Sequence, residues 1–546
     1  VNLVRYFHTL RYLRPIQVYG RAQKYVRRPR LDFGPAPPLR TRARRWIDGP
    51  PRKARLLAPG RFEFLNEQRE LHWPNGWSDQ KIHLLWLFNL HYFEDLIAEN
   101  AAERGAWHRQ LMADWVRDNG RSLTGPAWEP YVVSVRATNW IKWTLAGASL
   151  SDEAVVSLAQ QIRYLEQRIE IHLLGNHLLM NAKALIFAGL FFSGEEAQRW
   201  LTAGLKILAQ QLPEQILADG GHYELSPMYH ALVLEDLLDL LNLLQVYPAA
   251  LPSGYAAAPD SWRELVARMM SWLTAMTFPD GQIALFNDAA WGIAPLPSEL
   301  YAYAERLGLQ RPSEPRSGIT PLVKSGYVRV ATGAATAILD VGEIGPSFLP
   351  GHGHADVLTF ELALGAERLI VNSGTSVYQG NLPERHRQRQ TAAHNTVVVD
   401  GEDSSEVWDN FRVARRAHPC GLKIEEQGSG MYVIECSHTG YKRLSGRVVH
   451  RRQWRVGPSG MMIEDWLTGR FHRAEARFHL HPRVAIEQPS AREVPWKVGN
   501  FRGGLSCTTG DMTVRPATFH PEFGLSLPNL VLISPVGESA SHELRW

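Results

Sequence analysis

From about Gly76 the apolar residues recur every three or four positions, the period of helices with one buried face. IHLLWLFNLHYFEDLIAE opens the series. YVVSVRATNWIKWTLAGASL, EAVVSLAQQIRYLEQRIEIHLL, HLLMNAKALIFAGLFF, AQRWLTAGLKILAQQL, MYHALVLEDLLDLLNLLQVY and SWRELVARMMSWLTAMTF continue it. Breaks fall at Gly120, Gly175, Gly220-Gly221 and Pro252-Ser253-Gly254. Paired helices on short loops, too many for one four-helix bundle, predict a ring or toroid of hairpins. Near residue 320 the period drops to two. GYVRVAT, TAILDVG, VLTFELAL, NTVVVDG, MYVIECS, VVHRRQWRV, MMIEDWL, AEARFHLH and LVLISPV alternate between Gly, Asp and Asn turns, which predicts an antiparallel β-sandwich. The expected organisation is an α+β multidomain chain: an N-terminal arm over 1–75, a helical toroid over 76–315 and a β-sandwich over 316–546. A ligand cleft belongs between the last two.

Composition changes little in this picture. The 546 residues are 45% apolar and 21% charged, as in ordinary globular proteins, and the formal charge is +4. Its distribution matters more. The first 55 residues hold 15 Arg and Lys against Asp32 and Asp48, a solvated basic face or an attraction for something polyanionic. We read this arm as lying over the surface with one short helix. No zinc-finger or helix-turn-helix pattern is present, which excludes nucleic acid as the expected partner. Cys420, Cys436 and Cys507 lack ligand-like spacing and favour neither a disulfide framework nor a thiolate metal site. No apolar run reaches the length of a membrane span, and the visible start, VNLVRYFHTLRYLRP, lacks the apolar core of a signal peptide.

Candidate chemistry concentrates in residues 351–395. His352 and His354 sit in a Gly-rich turn with Asp356 close behind, and Asn372, Tyr378, Arg385, His386, Arg387, Arg389 and His394 follow. Such a set can move protons, hold a metal and grip an anion. Histidines at i and i+2 of a strand share a face, and Asn372 or His394 could complete a metal site with His354. The three arginines are candidate carboxylate or sulfate clamps, or a solvated charge run. In the helical part, Asn176 reads as an N-cap ahead of His177. In GGHYELSPMYH, Ser226 reads as N-cap and Pro227 as first helical residue, so Tyr229 falls in the first turn. There the helix dipole would make its phenol easier to ionise.

Together these residues resemble the heparinase II/III family of polysaccharide lyases. NHLLMNAKALIFAGLFF is similar to its helical-domain signature and GHYELSPMYH to its tyrosine motif. GHGHADVLTFELALGAERLIVNSGTSVY and RQTAAHNTVVVDG are similar to the start of its β domain. The four motifs occur in family order over roughly residues 80 to 480. The resemblance implies an incomplete α/α toroid joined to an antiparallel β-sandwich, and β-elimination of a uronic-acid-containing polysaccharide. It implies Asn176 as the group neutralising the uronate carboxylate, with Tyr229 and His352 as the acid–base pair. His177, His222, Glu224, Arg136, Asn139, Tyr378, Arg385 and Arg389 become candidate substrate contacts. His354, Asn372 and His394 match a structural divalent metal site, zinc or calcium, that the chemistry itself does not require. Asn372 departs from the Asp of some relatives.

Two other functions fit the sequence. A glycoside hydrolase needs two flanking carboxylates, for which Glu224 and Asp356 are candidates. A non-catalytic glycan-binding protein of a polysaccharide assembly system would use the basic arm and the aromatics. Heparan sulfate, alginate and a bacterium's own acidic exopolysaccharide all suit a cationic cleft, and the arm favours the last. A bacterial, periplasmic setting is the expectation, and oligomeric state is not legible.

Overall fold

The computed structural model describes residues 3–26, 28–121, 123–315 and 317–546. Val1, Asn2, Arg27, Ser122 and Arg316 lie outside the described residues, including the expected start of the β domain at 316.

The N-terminal segment is more structured than an arm with one helix. It holds α1 (Leu3–Leu10) and α2 (Pro15–Val26), then a three-stranded antiparallel sheet of Leu56–Ala58, Arg61–Phe64 and Glu67–Glu70. Phe62 and Phe64 from this sheet are buried in the helical core, where Phe64 meets Trp86 edge-on at 5.0 Å. The strands escaped the sequence reading because they are three or four residues long and the outward positions of the second and third are mostly charged.

Nine helices follow among the described residues: α3 (Leu84–Tyr92), α4 (Gly105–Asn119), α5 (Pro130–Leu145), α6 (Asp152–Gln167), α7 (Gly175–Phe191), α8 (Glu195–Gln215), α9 (Pro227–Val246), α10 (Ala258–Ala275) and α11 (Pro297–Arg306). Local chemistry sets their starts. The Ser151 hydroxyl accepts from Ala154 N–H at 3.2 Å, and Asp152 and Glu153 occupy the first turn of α6. α7 is mostly apolar and almost wholly buried, its Lys183 neutralised by Asp236 and Asp239, so it runs through the middle of the layer, against α5, α8 and α9. Its hairpin partner α8 approaches closely because Gly189 has no side chain; a Cβ there would lie 2.5 Å from the Leu201 nitrogen.

The β part contains four antiparallel sheets among the described residues, the smallest a two-stranded hairpin of Val407–Trp408 and Arg412–Val413. A five-stranded meander runs from Gly318 to Ile370, and a four-stranded sheet contains Val397–Val399, Ala474–His479, Thr513–Phe519 and Leu527–Pro535. An eight-stranded sheet takes the strands from Pro419 to Arg545 that remain. Every strand segment named from the alternating pattern is present. Others were hidden by composition: Phe501–Cys507 contains two glycines, Glu493–Val498 a proline, and Pro419–Glu426 is an exposed edge rich in charge. The meander packs Tyr327, Ile338 and Ala363 on Trp272, Phe278 and Phe286, so an apolar seam joins the helical and β parts. A further short helix, α12 (Leu382–Arg389), lies between the strands near that seam.

Candidate active site

The site is built around a residue the sequence reading did not select. After α10 the chain turns through Phe286-Asn287-Asp288, with Asn287 in the left-handed region at φ 55°. Asn287 is held there on both sides. Its amide donates to Leu225 O at 3.0 Å, and its Oδ1 accepts from His354 N–H at 2.9 Å. Asp288 N–H donates to His352 O at 3.0 Å. A helical-domain loop is thereby stitched to the Gly-rich turn of the β domain.

The Asp288 carboxylate is fully buried and receives both histidines. His352 donates from Nδ1 to Oδ2 and His354 from Nε2 to Oδ1, each at 2.9 Å. Arg385 closes the cluster with a two-pronged pair to the same carboxylate, its Nη2 at 2.6 Å. Burial alone would raise this carboxyl, but Arg385, His352 and His354 hold it well below the ordinary range. The two histidines do converge on one centre, as their spacing suggested. They do so from a turn rather than a strand, and the shared centre is a carboxylate.

Between the domains lies a cavity of about 860 Å³. Asn176, His177, Glu224, Tyr229, His352 and Tyr378 all line it. Ser226 caps α9 as expected, its hydroxyl accepting from Tyr229 N–H at 3.3 Å, so Tyr229 sits in the first turn. Its hydroxyl meets that of Tyr378 at 3.0 Å, and its ring lies 4.1 Å from the His352 ring. The expected easing of ionisation is not found. Burial, Tyr378, Asp288 and Glu224 push the Tyr229 phenol well above its ordinary value, outweighing the helix terminus.

Asn176 is not an N-cap. Leu174 holds that position at φ 61°, followed by Gly175 at φ 56°, where any side chain would strike Glu224. Glu224 itself caps the helix, its Oε1 accepting from Asn176 N–H at 2.9 Å. This leaves the Asn176 side-chain amide at the cavity wall. The second Glu224 oxygen is buried without a hydrogen-bond partner, 3.5 Å from His352 Nε2. The His177 ring lies tilted against Tyr131, with ring centroids 4.6 Å apart, and donates to Glu170 at 3.2 Å. Burial opposes its charge, yet the Glu170 carboxylate raises it above the ordinary histidine value.

Five expected substrate contacts are structural instead. Arg136 is fully buried over the Trp115 ring and donates to Ala127 O at 2.9 Å and Gln161 at 2.8 Å. Asn139 is buried and donates to Tyr92 O at 2.9 Å. His222 is enclosed with Gln215 and His230. Arg385 is spent on Asp288, and Arg389 clamps the carbonyls of Gly353, Asp409 and Asn410. Arg387 is held by Glu384. None of the three arginines lines the cavity, so the expected cationic cleft is not what the fold builds. Carboxylates of Glu94, Glu129, Glu170, Glu224, Glu299 and Glu522 line it; of the four Lys and Arg there, Arg52 pairs with Glu235, Lys53 and Arg55 meet Glu63, and Lys24 at the rim has no carboxylate partner among the described residues.

The expected metal ligands need one exchange. Ligand atoms of His354, Asp356 and His394 lie within 4.8 Å of one another, all buried. His354 Nδ1, His394 Nε2 and Asp356 Oδ2 have no hydrogen-bond partner. Asp288 fixes the His354 proton on Nε2, and Asn372 Oδ1 accepts from His394 Nδ1 at 3.2 Å, so both orphaned nitrogens present lone pairs. That donor set fits a cation. Asn372 orients a ligand rather than serving as one, because its Oδ1 is taken by His394 and Thr359. Asp356, off the cavity, is also unavailable as a hydrolase carboxylate opposite Glu224.

A helical toroid joined to a β domain is also the architecture of the crystal structure of heparinase III. That crystal structure matches at TM-score 0.69 and 18% identity, covering 87% of this chain and 80% of its own. The chain belongs to the heparinase II/III family. The family models Heparinase II/III N-terminus and Heparinase II/III-like, C-terminal match residues 81–304 and 314–546. A heparin-sulfate lyase of Bacteroides stercoris is 27% identical over 344 residues, 56% of this chain and 50% of that protein. One from Pedobacter heparinus is 25% identical over 362 residues, 59% and 53%. The chain thus spans about half the length of these curated relatives. FtsZ-localized protein C of Caulobacter vibrioides is 26% identical over 499 residues, 84% of this chain and 81% of that protein.

Asp288→Ala leaves Arg385 buried and uncompensated, and we expect a loss of about 3–5 kcal/mol in urea unfolding. Because Asp288 titrates below its ordinary 3.8 when folded, that contribution is full above this pH and vanishes as pH falls through the folded value. The wild-type and variant stability curves should therefore converge in acid.

Proposed function

We propose that the protein is a polysaccharide lyase that cleaves a uronic-acid-containing polymer by β-elimination. The observation that carries this reading is the placement of Tyr229, His352 and the Asn176 amide on one cavity wall. His352 directs Nδ1 at the Asp288 carboxylate and places Nε2 3.5 Å from Glu224; the neutral ring with its proton on Nδ1 would leave Nε2 free to act as a base. Tyr229 stays protonated at neutral pH and suits the acid. His352 Nε2 takes the C5 proton, the C4–O4 bond breaks as a C4–C5 double bond forms, and Tyr229 gives its proton to the departing O4. The imidazolium beside it can then return a proton to the phenolate. The Asn176 amide donates to the uronate carboxylate, where charge accumulates when C5 is deprotonated.

The lining also supports a substrate class. A densely sulfated polymer would face six carboxylates, with Arg52, Lys53 and Arg55 already paired and Lys24 alone left to meet it. We infer a sparsely sulfated or unsulfated uronate polymer, which keeps a bacterium's own exopolysaccharide ahead of heparin. The relatives named heparin-sulfate lyase support the reaction class. A second reading, a non-catalytic role, is favoured by the relative of fuller coverage, which is named for localisation with FtsZ. At the metal site His354, Asp356 and His394 would hold zinc better than calcium, since imidazole suits zinc. A metal there would brace the ring that shares Asp288 with His352.

Product formation is followed by the ultraviolet absorbance of an unsaturated uronate across acidic polymers. Tyr229→Phe and His352→Ala should each lose about 10²–10⁴-fold in kcat, with unfolding midpoints unchanged; near-normal turnover in either would exclude this mechanism. Within a series graded in sulfation, kcat/KM should fall by about tenfold or more from the unsulfated to the fully sulfated member, a difference of ~1.4 kcal/mol. Elemental analysis of purified protein should find one zinc per chain, absent in His394→Ala.

A further inference from the structure

Helix α1 stands outside the cavity and α2 reaches it only through Lys24, yet both are built inside out. A surface helix normally buries its apolar stripe and exposes its polar face. In α1 the residues Leu3, Val4, Phe7 and Leu10 are 76%, 56%, 63% and 52% exposed. The opposite face is the one that meets the protein, where Thr9 Oγ1 accepts from Trp408 Nε1 at 3.1 Å and Tyr6 packs edge-on against the Trp408 ring. α2 repeats the inversion. Its buried residues are Gln17 and Gly20, with the Gln17 amide donating to Phe348 O at 3.2 Å, while Ile16, Val18, Tyr19, Tyr25 and Val26 are exposed. These two helices carry 9 of the 17 exposed large apolar side chains among the described residues.

The charge carried by this segment itself has one sign, although Glu214 pairs with Arg14 where it meets α8. Residues 3–30 contain eight Arg and Lys and no Asp or Glu, and Arg11, Arg21, Lys24 and Arg28 are exposed. An apolar face flanked by basic side chains, with tyrosines at its margin, matches an anionic lipid surface. The apolar groups enter the acyl boundary and the cations meet the headgroups. A second copy of the same face would bring like charges together. A polyanionic sugar would leave the leucines and valines unpartnered.

We propose that α1 and α2 form a docking face for an anionic lipid bilayer, with Leu3, Phe7 and Leu10 as the inserting side chains. The chain then lies on the membrane without crossing it; no helix among the described residues is long and apolar enough to do so. Docking would also hold the cavity near the lipid, because α1 packs on Trp408 of the same short hairpin whose Phe411 lines the cavity.

The test is co-sedimentation of the full chain with vesicles of phosphatidylcholine alone and of phosphatidylcholine mixed with phosphatidylglycerol. We expect partitioning onto the mixed vesicles, weakened by salt, and at least about a tenfold loss of partitioning in the double variant Leu3→Glu, Phe7→Glu. Both side chains project into solvent, so thermal unfolding should not change. Wild-type partitioning by the double variant would overturn the proposal, as would absence of binding to either vesicle. A concentration-dependent dimer abolished by the same substitutions would overturn it too, in favour of a self-association face.

Discussion

One buried carboxylate holds the functional centre together. Asp288 belongs to the helical half of the chain, yet every side chain that neutralises it comes from the β half. Removing a carboxylate from water is costly, and only several directed donors offset that cost. Here the donors are the proposed base, a histidine of the metal-like cluster and an arginine with no other charged partner. The charge that orients the chemistry is therefore also a join between domains, and a disturbance of either would be felt by the other.

The arginines illustrate how residue type can mislead. Arg136, Arg385 and Arg389 all carry the chemistry of an anion clamp, and each is consumed by the protein itself, two of them largely on backbone carbonyls. A guanidinium with several donors is well suited to tie off the loose carbonyls of loops that cross between layers. The cavity is left with more carboxylates than free cations, the reverse of what the charge run around residue 387 suggests.

The legible parts of the sequence were those governed by short-range rules. Helical and alternating periods located the two halves, and Ser226-Pro227 placed Tyr229 in a first turn. The Gly-rich turn announced His352 and His354. What stayed hidden depends on contacts across long separations. Asp288 lies 64 positions from His352, in an Asn-Asp pair that looks like any loop. Leu174 displaced Asn176 as the cap because Glu224, far along the chain, supplies the acceptor. Asp356 replaced Asn372 at the cation cluster because a hydrogen bond to His394 had already claimed the asparagine oxygen. Pattern alone cannot show which partner a polar side chain finds.

The N-terminal helices touch both halves at once. Arg14 pairs with Glu214 at the end of α8, while Tyr6 and Thr9 rest on the hairpin of Trp408. Such a strap spans the seam from outside, as the apolar packing of Trp272 and Tyr327 spans it from within. Pinned on two sides, the walls keep a spacing set by the fold and not by whatever lies between them. Under the function proposed above, the width of that gap would limit which branches and substituents of a polymer fit between the walls.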